Sequence, residues 1–215
     1  MTGGSSLWRV RLSIWAAVAA LLLLAGGAVV LRGITAQQTS KEVLVGEANV
    51  RSKFSLTNHN GEPVTEASFA GKWQLVFFGF THCPDVCPTT LAYMATVLDL
   101  LGPQADYVAP LFITVDPSRD TASVMAEYVA AFHPRLIGLT GTEEQVAEAA
   151  QNFRTWYERI EDAAAPDGYM MAHAGHIYLM DPKGRFVDVF QERDQPPEAI
   201  AKEIRIAFKR EEQQQ

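Results

Sequence analysis

A continuous apolar run, Leu75–Phe80, restricts the fold of this chain more than any other feature. It has the length of one strand, and a strand that is apolar throughout is expected to be covered on both faces. Apolar residues at helical spacing follow from Leu91 to Leu101, and Gly102 then ends the helical pattern. A buried strand that leads into a helix indicates a domain built from stacked layers of sheet and helix.

The rest of the chain repeats this alternation of strand and helix patterns. Further strands are predicted at Phe54–Leu56, Val108–Val115, Leu136–Leu139, His176–Met180 and Arg185–Phe190. Helical patterns lie at 124–132 and 142–153, and a last helix follows Pro197. From Leu75–Phe80 onward the predicted order is β-α-β-α-β-α-β-β-α, which favours an α/β domain with a thioredoxin-like arrangement.

The N-terminal segment is predicted to be a single transmembrane helix. Residues 12–31 carry no charge, and these 20 residues would span roughly 30 Å, the thickness of a bilayer core. Arg9 and Arg11 precede the run, so residues 1–11 are expected in the cytoplasm. The alternative is a cleaved signal peptide, but the run is long for one and Arg32 follows it directly.

Both interpretations place the remaining chain outside the cytoplasm, in a bacterial periplasm or an equivalent space. The anchored form would be a single-pass protein of the inner membrane. Residues 32–49 are predicted to form a tether that reaches on the order of 20–25 Å, residues 50–210 the folded domain, and residues 211–215 a disordered tail. Beyond residue 32 the chain has 15 basic and 25 acidic residues, which argues against nucleic acid as a partner.

Cys83 and Cys87 are the two cysteines of the chain, and three residues separate them. They lie between the end of the buried strand and the start of a helix, where α/β proteins usually place their sites and where the helix favours thiolate. The pair could form a redox-active disulfide or bind a soft metal ion. A merely structural disulfide is disfavoured, because closing so small a loop removes little entropy from the unfolded chain.

Two thiolates and one imidazole would suit Cu(I), and the same set could bind Cu(II) with an added oxygen ligand. Structural zinc is disfavoured because it requires four protein ligands. His173 and His176 are the candidates for the imidazole, since they are predicted in the loop that enters the late strand pair, and this loop would face the cysteines in a thioredoxin-like fold. Their spacing alone does not choose between them.

The other soft or titratable side chains receive ordinary interpretations. His59 is predicted to be exposed in a turn, and His133 to cap the end of a helix. His82 adjoins Cys83, but neighbouring side chains of an extended segment point apart, so His82 is a weak candidate for a metal ligand. Met170 and Met171 are expected in the core or on the surface rather than at a metal.

Three segments, Phe80–Thr89, Val115–Thr121 and Tyr178–Gly184, closely resemble the Sco/SenC family of copper proteins. The resemblance covers residues 48 to 209 and implies a thioredoxin-like fold with an N-terminal anchor. It also implies copper ligands at Cys83, Cys87 and His173, because the family's ligand histidine lies five residues before the Tyr-Leu pair of the late strand.

Two residues beside the implied ligand depart from the family pattern. The family often has an acidic residue before this histidine and a hydroxyl residue after it, whereas Ala172 and Ala174 stand here. We therefore expect altered hydrogen bonding around His173. Asp116 resembles a family residue near the metal, although capping of the loop before the next helix is a plainer role.

The resemblance implies a membrane-anchored metallochaperone, rather than an enzyme, that delivers copper to the binuclear copper centre of a cytochrome c oxidase subunit. An unidentified copper donor and thiol reductant would be further partners. The alternative is a thiol–disulfide reductase that keeps the client's cysteines reduced through a Cys83–Cys87 redox pair. A peroxidase of the peroxiredoxin type is a third interpretation, because Thr81 lies two residues before Cys83.

Overall fold

Within the part of the chain that the structure describes, a main sheet of seven strands forms the centre of the fold. The structure is a computed structural model, and it describes residues 15, 50–165 and 167–213. The strands are β1 (Ser55–Asn58), β2 (Pro63–Thr65), β3 (Trp73–Gly79), β4 (Val108–Thr114), β5 (Ile137–Thr140), β6 (Tyr157–Glu161), β7 (Tyr169–His173), β8 (Ile177–Met180) and β9 (Phe186–Phe190). The strands of the main sheet lie in the order β2-β1-β5-β4-β3-β8-β9. Strands β6 and β7 pair with each other in a separate two-stranded sheet.

The helices follow the strands along the chain, as the sequence predicts. They are α1 (Val86–Leu101), α2 (Ala122–Ala130), α3 (Glu143–Phe153) and α4 (Pro197–Glu212), with short 3-10 turns at Glu66–Phe69 and Gly102–Tyr107. Strands β3, β4 and β5 are parallel to one another, and β8 is antiparallel to β3. The thioredoxin-like α/β arrangement is therefore confirmed.

Strand β3 is buried along its whole length because both faces of the sheet are covered. Neighbouring residues of a strand point to opposite faces. Phe77 packs against Phe112 of β4, whereas Phe78 packs edge-on against Phe153 of α3. This accounts for the apolar run in the sequence, and it holds the end of β3 rigidly beneath the cysteines.

The β6–β7 ribbon is the main element that the sequence did not predict. Four of the five residues of β6 are exposed, and their mostly polar side chains gave no strand pattern in the sequence. Strand β7 is half-buried, and His173 is its last residue rather than part of a loop. The antiparallel register pairs Tyr157 with His173 and Glu161 with Tyr169.

The predicted segments at the two ends of the chain differ in how far the structure describes them. Helix α4 continues to Glu212, so the first two residues of the predicted disordered tail are helical. Glu211 forms an ion pair with Lys183 at 3.3 Å. The predicted transmembrane helix 12–31 and tether 32–49 lie outside the described residues, apart from Trp15. None of the helices that the structure describes is long and apolar enough to cross a bilayer.

Candidate metal centre

The two cysteines lie at the junction of β3 and α1. Strand β3 ends at Gly79 and helix α1 begins at Val86, so Cys87 is already helical, whereas Cys83 precedes the helix. Cys87 is fully buried and Cys83 is half-buried, and both are free thiols. The backbone N–H of Cys87 donates to Sγ of Cys83 at 3.3 Å. Cys83 thereby satisfies one of the amide groups that the first turn of a helix leaves unpaired.

The same contacts give the two thiols opposite protonation states. A hydrogen bond from the Cys87 side chain lowers the pKa of Cys83 to about 4, and contacts with His173 and backbone amides add to this effect against the cost of burial. The pKa of Cys87 is raised, because its thiol donates to Cys83 and because it is buried. In the reduced protein Cys83 is therefore the thiolate and Cys87 the thiol at neutral pH.

His173 completes the cluster from the end of β7. Its Nε2 lies 3.3 Å from Sγ of Cys87, although 86 residues separate the two in the sequence. Its ring packs edge-on against Phe77 and Phe80, with ring centroids 5.9 Å apart in each pair. One sulfur from each cysteine and one ring nitrogen lie within 4.8 Å of one another, a spacing that suits a shared metal ion.

The His173 ring has a hydrogen-bond partner that does not depend on the neighbouring side chains. Its Nδ1 lies 3.1 Å from the carbonyl oxygen of Ala174. A carbonyl only accepts, so Nδ1 carries a proton, and Nε2 is the ring nitrogen that is placed to bind a metal. The alanines at 172 and 174 remove polar side chains, but the main chain supplies the contact that orients the ring.

His176 and His82, the other histidines near the motif, do not belong to the three-residue cluster. The His176 ring packs edge-on against Tyr178, with 6.2 Å between centroids. Nδ1 of His82 lies 3.0 Å from Oγ1 of Thr81. The structure thus brings His173 to the cysteines, and it gives His176 a packing contact instead.

The two remaining histidines bind backbone amides. His59 was predicted to be exposed, but it is half-buried and its Nδ1 accepts the N–H of Gly138 at 3.0 Å. His133 was predicted to cap a helix, but its Nδ1 accepts the N–H of Arg135 at 3.1 Å. His59 thereby holds its turn against β5, whereas the His133 contact lies within its own loop, and polar turn sequence alone gave no sign of these partners.

Asp116 is fully buried and lies outside the three-residue cluster. Its carboxylate accepts hydrogen bonds from Ser118 at 2.8 Å, from Nε of Arg119 at 2.5 Å and from the hydroxyl of Tyr169 at 3.0 Å. The contact with Ser118 agrees with the loop-capping interpretation. The contact with Tyr169 joins Asp116 to β7, the strand that ends in His173.

Asp120 organises the turn before Cys83, a role that the sequence did not reveal. It accepts the backbone N–H of Thr81 at 3.0 Å, the hydroxyl of Thr81 at 2.5 Å and the hydroxyl of Thr114 at 2.6 Å. Burial raises the pKa of its carboxyl group. Thr81, whose spacing from Cys83 suggested the peroxidase interpretation, donates its hydroxyl to Asp120.

Gly79 is the second residue whose role emerges only from the structure. A Cβ at this position would lie 2.8 Å from Sγ of Cys87 and 2.9 Å from the ring of Phe112. Real Cβ atoms do not approach other atoms so closely. Glycine is required here because Cys87 occupies the space where a side chain would begin.

The comparison with protein families identifies the domain. The sequence model of the SCO1/SenC family matches residues 43–209. The chain belongs to this family.

Several characterised SCO1/SenC proteins are similar over most of this chain. The SCO2 homolog of Mus musculus is 44% identical over 171 residues, which cover 79% of this chain and 66% of that protein. Protein sco1 of Schizosaccharomyces pombe is 37% identical over 209 residues, which cover 92% of this chain and 77% of that protein. SCO2 of Saccharomyces cerevisiae is 39% identical over 189 residues, and the chain spans 62% of its length.

Solved SCO1/SenC structures share the fold. ScoI of Bradyrhizobium japonicum, determined with copper bound, is 41% identical with a TM-score of 0.67, covering 73% of this chain and 98% of that one. Yeast Sco1, also determined with copper bound, is 34% identical with a TM-score of 0.69, covering 74% and 88% of the two chains.

Proposed function

We propose that this SCO1/SenC protein binds copper as its cargo through Cys83, Cys87 and His173. The observation that carries the proposal is the approach of two sulfurs and one imidazole nitrogen to within 4.8 Å of one another. Thiolate and imidazole ligands favour copper over hard cations such as magnesium and calcium. The copper-bound relatives at 41% and 34% identity support the same choice of metal.

The donor set suits both oxidation states of copper. Cu(I) is satisfied by three soft ligands, whereas Cu(II) would take a further oxygen ligand such as water. Cys87 must lose its proton when the metal binds, because thiolate rather than thiol is the ligand. Since the pKa of Cys87 is raised in the reduced protein, copper binding should release a proton from this residue.

The role that we propose is delivery of copper to the binuclear copper centre of a cytochrome c oxidase subunit. Transfer would proceed by ligand exchange, in which thiolates of the client replace the protein ligands one at a time. Half-buried Cys83 offers the first accessible sulfur, whereas Cys87 is fully buried. A copper donor and a thiol reductant would be the other partners.

Membrane attachment would keep the domain close to such a client. We propose that residues 1–11 lie in the cytoplasm, 12–31 cross the membrane, 32–49 form a tether and 50–210 form the domain on the far side. The location would be the inner membrane with the domain in the periplasm. Two of the relatives are named as mitochondrial proteins.

A thiol–disulfide reductase is the second candidate, and the unequal thiols favour it. The half-exposed thiolate of Cys83 would attack a client disulfide and form a mixed disulfide. Cys87 would then lose its proton and attack Cys83, which releases the client as a dithiol. The two electrons come from the cysteine pair, which ends as a Cys83–Cys87 disulfide that an external dithiol must reduce.

Anaerobic titration with Cu(I) against a chromophoric chelator separates the two functions. We expect the reduced protein to bind one Cu(I), and His173→Ala to bind it at least about tenfold more weakly, because loss of even a partner that orients a ligand costs that much. His176→Ala is the matched control and should bind like the unmodified protein. Weak copper binding together with disulfide reduction that survives His173→Ala would contradict the chaperone role and favour the reductase.

A further inference from the structure

The β6–β7 ribbon contacts the body of the domain more closely at some points than at others. It forms its own two-stranded sheet and carries His173 at the end of β7. A cavity of about 350 Å³ lies between the ribbon and the body, with Met171 and Arg159 on the ribbon side and Asp116 on the body side. Met170 and Met171 of β7 pack partly against the core, but the cavity leaves this face of the ribbon incompletely supported, so contacts near its ends help to fix its position.

Tyr169, the first residue of β7, provides one such contact. Its hydroxyl donates to Asp116 at 3.0 Å, and the guanidinium of Arg119 lies 3.9 Å from the centre of its ring. Arg119 also donates to Asp116 at 2.5 Å and to Asp167, next to the start of β7, at 3.1 Å. These residues, Asp116, Arg119 and Tyr169, are termed the ribbon clamp.

The clamp holds the same strand that presents the third ligand. Tyr169, Met171 and His173 share one face of β7, because side chains alternate along a strand. The clamp and the ligand lie roughly 13 Å apart on a single extended segment. A second guanidinium, from Arg159 of β6, lies 3.7 Å from the centre of the Tyr169 ring and ties both strands of the ribbon to the same point.

We propose that Arg119 and Tyr169 are positioning residues that hold His173 beside Cys87. With the clamp intact, Nε2 of His173 is preorganised for the metal. With the clamp broken, the ribbon shifts over the cavity beneath it, and only the two cysteines remain in place. The part of this proposal that concerns copper rests on the proposed function, whereas the part that concerns the position of the His173 ring does not.

Two substitutions test the clamp, and the chain supplies a matched control. Tyr169→Phe removes the hydrogen bond to Asp116 but keeps the ring, and Arg119→Lys keeps the charge but removes the contact with Asp167 and the stacking. Arg185→Lys is the control, because Arg185 forms the same kind of ion pair with buried Asp181, at 2.6 Å, in the β8–β9 turn.

The first readout is Cu(I) affinity of the full chain, measured by competition with a chromophoric chelator. We expect both clamp variants to bind copper about tenfold more weakly, as found when partners that orient metal-ligating histidines are removed. In the His173→Ala background, Arg119→Lys should cause no further loss, because the clamp acts through His173. A loss of affinity in that background, or an equal loss in Arg185→Lys, would overturn the proposal.

The second readout needs no metal. In the NMR spectrum of the reduced protein, nuclear Overhauser contacts should join the His173 ring to the rings of Phe77 and Phe80. Tyr169→Phe and Arg119→Lys should weaken these contacts, and Arg185→Lys should leave them unchanged. Persistence of the contacts in both clamp variants would refute the positioning role. Failure of the unmodified protein to bind copper would instead refute the proposed function.

Discussion

At the scale of single residues, the hydrogen bond between the two thiols separates their chemistry. Cys83 accepts from both the side chain and the backbone of Cys87, so negative charge is stabilised on the half-exposed sulfur. Cys87 retains its proton beneath it. The same asymmetry serves both candidate functions, because the accessible thiolate is at once the better nucleophile and the first ligand that a partner meets.

This asymmetry predicts an unusual pH profile for alkylation. With a pKa of about 4 for Cys83, the rate of reaction of the reduced protein with iodoacetamide should be almost constant from about pH 6 to about pH 8. Cys87→Ala removes the strongest contact that lowers the pKa, so its rate should rise across this range. Both rates are measured by mass spectrometry of samples that are quenched at timed intervals. A steep rise in the unmodified protein would contradict the assignment of the thiolate.

Gly79 gives a second prediction at this scale. Gly79→Ala places a methyl group against Cys87 and Phe112, and overpacking of this kind costs about 1–3 kcal/mol. Chemical denaturation should show this loss of unfolding free energy, and copper affinity should fall because Cys87 is displaced. Gly175→Ala is the control near the site, since its Cβ would meet only Val86, at 3.8 Å. Equal effects of the two substitutions would contradict the close-contact argument.

At the scale of secondary-structure elements, Asp120 joins the end of β3 to the end of β4. It binds Thr81 just after β3 and Thr114 at the last position of β4. These contacts hold the carboxyl-terminal ends of β3 and β4 together next to the segment that carries Cys83 and Cys87. The geometry of that segment thus depends on a residue that lies 33 or more positions from either cysteine.

Loss of one of these contacts should destabilise the domain measurably. Thr114→Val keeps the shape of the side chain but removes a donor to the Asp120 carboxylate and the acceptor of the Asp116 N–H, at a cost of about 1–3 kcal/mol for each group left unpaired. Thr96→Val is the control, because the Thr96 hydroxyl is on the exposed face of α1 and bonds only the carbonyl of Ala92. Denaturant titration of the reduced proteins compares the two. A neutral Thr114→Val would contradict the anchoring role of Asp120.

Elements differed in how well the sequence predicted them, for a physical reason. Strand β3 is covered on both faces, so its apolar run was unambiguous. The β6–β7 ribbon rests on the body by one face and by its ends, so Tyr157–Glu161 carries too few apolar residues to indicate a strand. The functional consequence was that His173 was placed in a loop, whereas it lies on a strand whose position the ribbon clamp fixes.

At the scale of the whole molecule, the strand order brings distant segments together. Strand β8 pairs with β3 in an antiparallel register, although about 100 residues separate them in the chain. The ribbon that precedes β8 therefore reaches the cysteine segment that follows β3. Periodicity could predict each of these strands, but it carries no information about their neighbours. Resemblance to the Sco/SenC family, rather than spacing, was what selected His173 over His176.

The same two cysteines can form a disulfide or bind the metal, so we predict that oxidation of the pair prevents the protein from binding copper. A Cys83–Cys87 disulfide removes both thiolates, and His173 alone is too poor a site to retain copper. The oxidised protein should therefore bind no Cu(I) above the level of a Cys83→Ser, Cys87→Ser variant, whereas the reduced protein should bind one ion. Equilibrium dialysis of both forms checks this. Equal binding by oxidised and reduced protein would place the copper elsewhere.

The visible spectrum of the protein loaded with Cu(II) tests the three-ligand site most directly. A thiolate-to-copper charge-transfer band should appear in the unmodified protein, and it should change strongly or vanish in His173→Ala. It should be unaltered in His176→Ala, whose ring packs against Tyr178. A band that survives His173→Ala and disappears in His176→Ala would contradict the assignment of His173 as the third ligand.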